Sequence, residues 1–161
     1  MGVGGYLGVD VGSVSTNVVL INESGVLLEK IYLKTQGDPI NAIKKGLEKL
    51  GDSVSNIEIL GVGTSGSGRK LAGVILGADC VKNEITAHAV AAGYLVPSVQ
   101  TVIEIGGQDS KIIILREGIV IDFAMNTVCA AGTGSFLEQQ ATRLGITIEE
   151  FSKLALGSLN P

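Results

Sequence analysis

Charged and aromatic residues are scarce in this chain of 161 residues, and tryptophan is absent. Only 17% of the residues are charged, the net charge is −4 and no run of basic residues exceeds two, which disfavours nucleic acid as a partner. No apolar run approaches the roughly 18 residues of a membrane span, and the N-terminus lacks the basic and apolar regions of a signal peptide. We therefore expect a cytoplasmic protein that does not bind membranes.

Cysteine and proline are also rare, with two and three residues respectively. Cys80 and Cys129 are too few for a disulfide framework, and their separation fits no zinc-finger spacing. Glycine, by contrast, is abundant, with 23 residues or about twice its usual share of roughly 7%. The glycines cluster in short turns between apolar segments, and 45% of the residues are hydrophobic. This composition predicts an α/β protein with a substantial core.

The hydrophobic pattern predicts the same order of elements twice, three strands followed by helices. In the first copy it predicts strands near 6–11, 16–21, 26–33 and 57–62, and helices near 39–50, 69–76 and 84–94. After Pro97 the pattern restarts, with strands near 101–105, 111–115 and 119–123 and helices near 133–144 and 147–156. We therefore expect two domains, residues 1–97 and residues 98–161, the second of which stops before its later elements.

Each copy opens with a strand, a glycine turn and a returning strand, and an acidic residue lies near each turn. Glycine lets consecutive backbone N–H groups converge on one centre, where they can bind phosphate oxygens. A carboxylate beside phosphate suits Mg²⁺. A plain hairpin would explain one such turn, but two in equivalent positions favour phosphate binding. The candidate residues are Asp10, Gly12, Ser13, Val14 and Ser15 in the first copy, and Gly106, Gly107, Gln108 and Asp109 in the second.

These turns resemble the two phosphate loops of the actin, sugar kinase and heat-shock chaperone ATPase superfamily. Within it, residues 106–111 (GGQDSK) and 125–138 (MNTVCAAGTGSFLE) are similar to the signature of the ATP-dependent activators of 2-hydroxyacyl-CoA dehydratases. The related benzoyl-CoA reductase ATPase subunits share it, in the BadF/BadG/BcrA/BcrD family. Residues 64–69 (TSGSGR) resemble a loop of larger members. The resemblance implies a ribonuclease-H-like, actin-like α/β fold with mixed sheets, one full lobe plus the first half of a second, linked by a helix at 83–93.

The resemblance also implies ATP hydrolysis that drives a low-potential electron from an upstream donor into a dehydratase or reductase component. It implies ATP and Mg²⁺ as cofactors, and a homodimer bridged by one [4Fe–4S] cluster with Cys129 as a ligand. Asp10 would hold Mg²⁺, while Gln108 and Asp109 would position the attacking water or a metal-bound water. Cys80 precedes the linking helix, and we expect it to be a buried structural residue.

The sequence departs from the family pattern at two positions. Asn17 stands where Lys or Arg is frequent, and Glu104 stands where Asp is common. The second cysteine ligand and the adenosine-binding glycine motif have no counterpart, so we expect the N-terminal part of a longer activator that is inactive alone. A small-molecule kinase and a non-enzymatic nucleotide-binding domain of the same superfamily are the alternatives. A cysteine soon after Pro161, followed by a glycine pair, would favour the activator. The sequence does not identify the acyl-CoA.

Overall fold

The computed structural model describes residues 3–51, 54, 56–126, 128 and 133–159. The chain divides into two compact units, residues 1–98 (unit 1) and residues 99–161 (unit 2). None of the helices so described combines the length and the apolar character that crossing a membrane requires.

Unit 1 is built on a mixed sheet. Its strands are β1 (Val3–Val11), β2 (Ser15–Asn22), β3 (Leu27–Lys34), β4 (Ile57–Ser65) and β5 (Cys80–Val81). In the described part of the unit they lie in the order β3-β2-β1-β4-β5. The central strand β1 pairs antiparallel with β2 and parallel with β4. The helices are α1 (Pro39–Gly51), α2 (Arg69–Leu76) and α3 (Glu84–Leu95).

The core of unit 1 lies on one face of this sheet. Leu7 and Val9 of β1 share that face with Leu20 and Val18 of β2, because the register pairs Leu7 with Leu20 and Val9 with Val18. These buried side chains form one apolar cluster with Val11 and with the helical residues Ile43, Leu50 and Ala72. Packing of this face fixes the carboxyl end of β1, where the first glycine turn begins.

The helices of unit 1 begin and end where local signals predict. Proline is favourable at the first position of α1, because the N–H that it lacks would have no partner there. The predicted span of α2 is confirmed, and the helix ends at Gly77, which adopts a left-handed φ of 60°. Asn83 caps α3 by accepting a hydrogen bond from Thr86 N at 2.8 Å. Strand β5 was not predicted, because two residues carry no periodicity.

Unit 2 contains an antiparallel sheet of β6 (Thr101–Ile105), β7 (Ser110–Arg116) and β8 (Ile119–Met125), in that order. Its helices are α4 (Gly134–Leu144) and α5 (Ile148–Leu156). Thr147 and Glu150 form a capping box at the start of α5, since each side chain accepts from the other residue's backbone N–H. Alternation along β7 buries Lys111, Ile113 and Leu115. The sheets of both units, with their helices, confirm the predicted α/β fold class.

Candidate functional site

The first glycine turn (turn 1, residues 12–15) joins β1 to β2. Gly12 N donates to Ser15 O at 2.8 Å and closes the turn. A Cβ on Gly12 would lie 3.1 Å from Ser15 O, so glycine permits this close approach. The backbone N–H groups of Ser13 and Val14 find no acceptor among the described residues. Both groups are therefore available to an anion.

Two buried threonines hold turn 1 in place. Thr35 donates from Oγ1 to Gly12 O at 2.9 Å, and its backbone N–H donates to Val14 O at 2.8 Å. Thr16 Oγ1 lies 3.0 Å from Thr35 Oγ1, and both side chains are buried. The two bonds from Thr35 occupy the carbonyl oxygens of Gly12 and Val14 and fix the backbone of the turn. The free N–H groups are thus held in one arrangement before any ligand binds.

Asp10 lies two residues before turn 1, where the carboxyl ends of the parallel strands β1 and β4 meet. Its partners in the ladders are Asn17 on β2 and Ser65 on β4. Asn17 Nδ2 donates to Asp10 Oδ2 at 3.4 Å, so the neighbour across the β1–β2 ladder is a neutral amide and not a cation. A Cβ on Gly66 would come within 2.7 Å of Asp10 Oδ1. A residue without a side chain therefore lets the loop approach this carboxylate closely. A carboxylate beside a glycine turn, with a neutral amide as its partner, suits hydrated Mg²⁺.

The loop after β4 is fastened to the end of β1 and to α3. Gly68 N donates to Val11 O at 2.8 Å. Arg69 Nη1 donates to Gly66 O at 2.9 Å and pairs with Glu84 Oε2 at 3.3 Å. Arg69 thus connects the loop to the first residue of α3. The bond from Gly68 to Val11 connects the same loop to the residue after Asp10.

The second glycine turn (turn 2, residues 106–109) joins β6 to β7 and repeats the geometry of turn 1. Gly106 N donates to Asp109 O at 2.8 Å, the same bond at the same distance. A Cβ on Gly106 would lie 3.1 Å from Asp109 O. Within the part of the chain that the structure describes, the backbone N–H groups of Gly107 and Gln108 have no acceptor, and the Gln108 side chain is exposed. Turn 2 therefore offers an anion two N–H groups, as turn 1 does.

Lys111 is the residue near turn 2 whose importance the sequence analysis missed. Its Nζ lies 2.7 Å from Asp109 Oδ1 and 2.9 Å from Glu104 Oε2, and 4% of the side chain is exposed. Burial by itself would lower the pKa of Lys111, but the hydrogen bonds and charges of Asp109 and Glu104 outweigh it and raise the pKa above the usual 10.5. The ammonium is therefore charged at neutral pH. A lysine at a core position in the alternation of β7 was the signal that could have found it.

The start of α4 is fastened to turn 2. Thr133 is fully buried and donates from Oγ1 to Gly107 O at 3.0 Å. Gly134 N donates to Gly106 O at 2.9 Å, and Ser135 N donates to Gly107 O at 3.0 Å. The first N–H groups of a helix have no acceptor within the helix, and here the carbonyl oxygens of turn 2 act as the acceptors. The position of α4 thus depends on the position of turn 2.

The end of β8 is fastened close to the same turn. Ser110 N donates to Asn126 Oδ1 at 2.9 Å, and Asn126 N donates to Ser110 O at 3.1 Å. Ser110 directly follows Asp109, the last residue of turn 2. Asn126 and Thr133, which lie on either side of Cys129 in the sequence, are therefore both hydrogen-bonded to turn 2 or to the residue after it.

Of the two cysteines, the structure describes one. Cys129, the predicted cluster ligand, lies outside the described residues, and its role stays a prediction. Cys80 is an exposed free thiol, so the expectation that it is buried is wrong. The reason is its position on β5, a strand of two residues at the edge of the unit 1 sheet. Among the described residues, no group of three or more His, Cys, Asp or Glu side chains comes together as a metal site.

Comparison with known proteins points to one family. The model of the BadF/BadG/BcrA/BcrD ATPase family matches residues 7–159. The chain is 38% identical over 152 residues to the activator of lactoyl-CoA dehydratase from Anaerotignum propionicum, which covers 92% of this chain and 57% of that protein. It is 33% identical over 157 residues to the (R)-2-hydroxyglutaryl-CoA dehydratase activating ATPase of Acidaminococcus fermentans, with 94% and 58% covered.

A solved structure gives the same answer. It is the activator of the 2-hydroxyisocaproyl-CoA dehydratase from Clostridium difficile with bound ADPNP, at a TM-score of 0.81 and 28% identity, with 97% of this chain and 58% of that chain covered. The chain thus spans somewhat more than half the length of these relatives. The matches confirm the resemblance and the actin-like fold that the motifs implied. The chain belongs to the BadF/BadG/BcrA/BcrD ATPase family.

Proposed function

We propose that the intact protein hydrolyses ATP and thereby drives an electron into an acyl-CoA dehydratase or a related reductase. The observation that carries the proposal is the pair of glycine turns, each closed by the same N–H···O bond of 2.8 Å. Each turn leaves two backbone N–H groups without an acceptor in the described residues, and such groups bind phosphate oxygens. Two relatives are named as dehydratase activators, and a third was solved with ADPNP, which supports a nucleotide as ligand.

Within this proposal, Asp10 is the carboxylate that holds Mg²⁺, and its position next to turn 1 with a neutral amide as partner supports that assignment. Mg²⁺ would supply positive charge to the phosphates. Turn 1 binds phosphate oxygens through the N–H groups of Ser13 and Val14, with the hydroxyl groups of Ser13 and Ser15 as further donors. Gly12 makes the tight turn possible.

In turn 2, Gly106 closes the turn as Gly12 does, and the N–H groups of Gly107 and Gln108 contact phosphate. The side chains of Gln108 and Asp109 orient the attacking water. The Gln108 side chain is exposed, and 43% of the Asp109 side chain is exposed, so both polar groups reach solvent. A water molecule held by a carboxylate can lose a proton to it as the new bond to phosphorus forms.

The proposal includes a redox centre. Cys129 would be a thiolate ligand of a [4Fe–4S] cluster that two copies of the protein share in a homodimer, reduced by an upstream donor. Iron–sulfur clusters require thiolates, and a symmetric dimer supplies each ligand twice.

The test of the ATPase assignment is phosphate release by the intact protein with Mg²⁺. Asp10→Asn removes the charge while keeping the shape, and it should abolish Mg²⁺-dependent hydrolysis. The matched control is Asp122→Asn at an exposed position of β8, which should leave turnover unchanged. Turnover retained in Asp10→Asn would contradict the role of Asp10. Phosphate transfer only to an added hydroxyl acceptor would favour a kinase, and binding without turnover would favour a non-enzymatic nucleotide-binding domain.

The test of the redox assignment is anaerobic reconstitution of the intact protein with iron and sulfide. Cys129→Ala should lose the cluster absorbance, because a thiolate ligand is gone. Cys80→Ala should keep it, and the exposed Cys80 thiol serves as the matched control. The opposite pattern would show that the ligand assignment is wrong.

A further inference from the structure

Lys111 occupies in unit 2 the ladder position that Asn17 occupies in unit 1. Each residue lies five positions after the first residue of its turn, and each pairs across the ladder with the acidic residue that precedes the turn. In unit 1 this pair is Asp10 and Asn17, and in unit 2 it is Glu104 and Lys111. The two turns share a backbone geometry but differ in the charge placed beside them.

The number of carboxylates explains this difference. Turn 1 is preceded by one acidic residue, Asp10, and contains none. Turn 2 is preceded by Glu104 and ends in Asp109, and Lys111 Nζ lies 2.9 Å from Glu104 Oε2 and 2.7 Å from Asp109 Oδ1. With Lys111 charged, each turn carries a formal excess of one negative charge. Without Lys111, two uncompensated carboxylates would flank the N–H groups of turn 2, and they would repel an incoming phosphate.

Lys111 also restricts the motion of Asp109. The lysine side chain is 4% exposed and Glu104 is 18% exposed, whereas Asp109 is 43% exposed. The buried ammonium of Lys111 therefore donates to Oδ1 of Asp109, whose carboxylate reaches solvent, and this bond fixes the orientation of that carboxylate. A catalytic group held by a buried donor keeps one orientation toward its ligand.

We propose that Lys111 is the positioning residue of turn 2, which orients Asp109 and cancels the charge of Glu104 so that the turn accepts the phosphates of ATP. This inference rests on the proposed function and extends it to a side chain that is not part of the turn. An ion pair with a purely structural role would change the stability of unit 2 but not the kinetic constants of the folded protein.

The test uses the intact protein and three variants. Lys111→Met removes the ammonium, Lys111→Met/Glu104→Gln also removes the carboxylate left without a partner, and Lys153→Met, at an exposed position of α5, is the matched control. Lys111→Met should weaken ATP binding by about tenfold, since a like charge is uncovered beside the phosphates. The double variant should recover ATP affinity to within about threefold of wild type. Its kcat should stay about tenfold low, because Asp109 has lost its donor.

ATP affinity is measured by calorimetry, kcat by phosphate release and the folded fraction by circular dichroism. Unchanged Kd and kcat in the folded fraction of both Lys111 variants would overturn the inference, and so would a wild-type kcat in the double variant. If Lys111→Met does not fold, the double variant, which buries no unpaired charge, decides by its kcat. Wild-type protein that neither binds nor hydrolyses ATP would contradict the proposed function as well. Active wild-type protein with unaffected variants would contradict only the role of Lys111.

Discussion

Replacing Gly66 with alanine tests whether the loop after β4 controls the end of β1. Gly66 has a φ of 85°, a conformation that costs an L-residue about 1–2 kcal/mol. The added Cβ would also lie 2.5 Å from Val11 O and 2.7 Å from Asp10 Oδ1. Val11 O accepts a hydrogen bond from Gly68 N, so relief of this contact must move backbone. Overpacking of that kind costs about 1–3 kcal/mol, which makes the expected loss of unfolding free energy about 2–5 kcal/mol.

Gly77 provides the matched control for this experiment. It has a φ of 60°, and a Cβ there would meet nothing within 4 Å. Gly77→Ala should therefore lose only the cost of the left-handed conformation, about 1–2 kcal/mol. Urea unfolding of both variants beside wild type measures the difference. Equal losses would refute the reasoning that contact with Val11 and Asp10 determines the larger effect. Under the proposed function, Gly66→Ala should also lose Mg²⁺-dependent hydrolysis, and Gly77→Ala should keep it.

Further expectations concern α3, α4 and Lys111. Gly93 lies in the last part of α3, and a Cβ there would meet nothing within 4 Å. Gly93→Ala should therefore raise the free energy of unfolding, measured in urea, by about 0.5–1 kcal/mol, and a lower free energy of unfolding would contradict this reasoning. Thr133→Val removes a buried hydroxyl group that donates a hydrogen bond and should cost about 1–3 kcal/mol in the same assay, against less than about 0.5 kcal/mol for Thr142→Val on the exposed side of α4. The raised pKa means that the folded protein binds the Lys111 proton more tightly than the unfolded chain does. The charged ammonium therefore stabilises the folded state fully below pH 10.5, and this contribution is lost as the pH rises through the higher pKa of the folded protein. The stability difference between wild type and Lys111→Met should narrow as pH rises above 10.5, and a constant difference would refute the ion pair.

The type and order of the elements could be predicted because local signals determine them. The hydrophobic pattern predicted helices near 69–76 and 147–156, and the structure has α2 at Arg69–Leu76 and α5 at Ile148–Leu156. The two glycine turns were also predictable, since short-range chemistry alone identifies a glycine turn next to an acidic residue.

Contacts between distant residues could not be predicted in this way. The ion pair of Lys111 with Glu104 exists only because β6 and β7 pair in one register. The bond from Thr35 to Gly12 joins residues 23 positions apart. The exposure of Cys80 depends on which strand stands at the edge of the sheet. Each of these facts is a property of the assembled sheet.

The connection between the third strand and the next helix differs in length between the two units. It comprises residues 35–38 in unit 1 and residues 126–133 in unit 2. In both units a buried threonine of this connection bonds to a carbonyl oxygen of the glycine turn, Thr35 to Gly12 and Thr133 to Gly107. Unit 2 therefore has the same kind of threonine bond, and its longer connection places additional residues, Cys129 among them, before Thr133 in the sequence. Evolution can exchange the added residues and their chemistry at this point without redesigning the sheet, the turn or the helix that hold them.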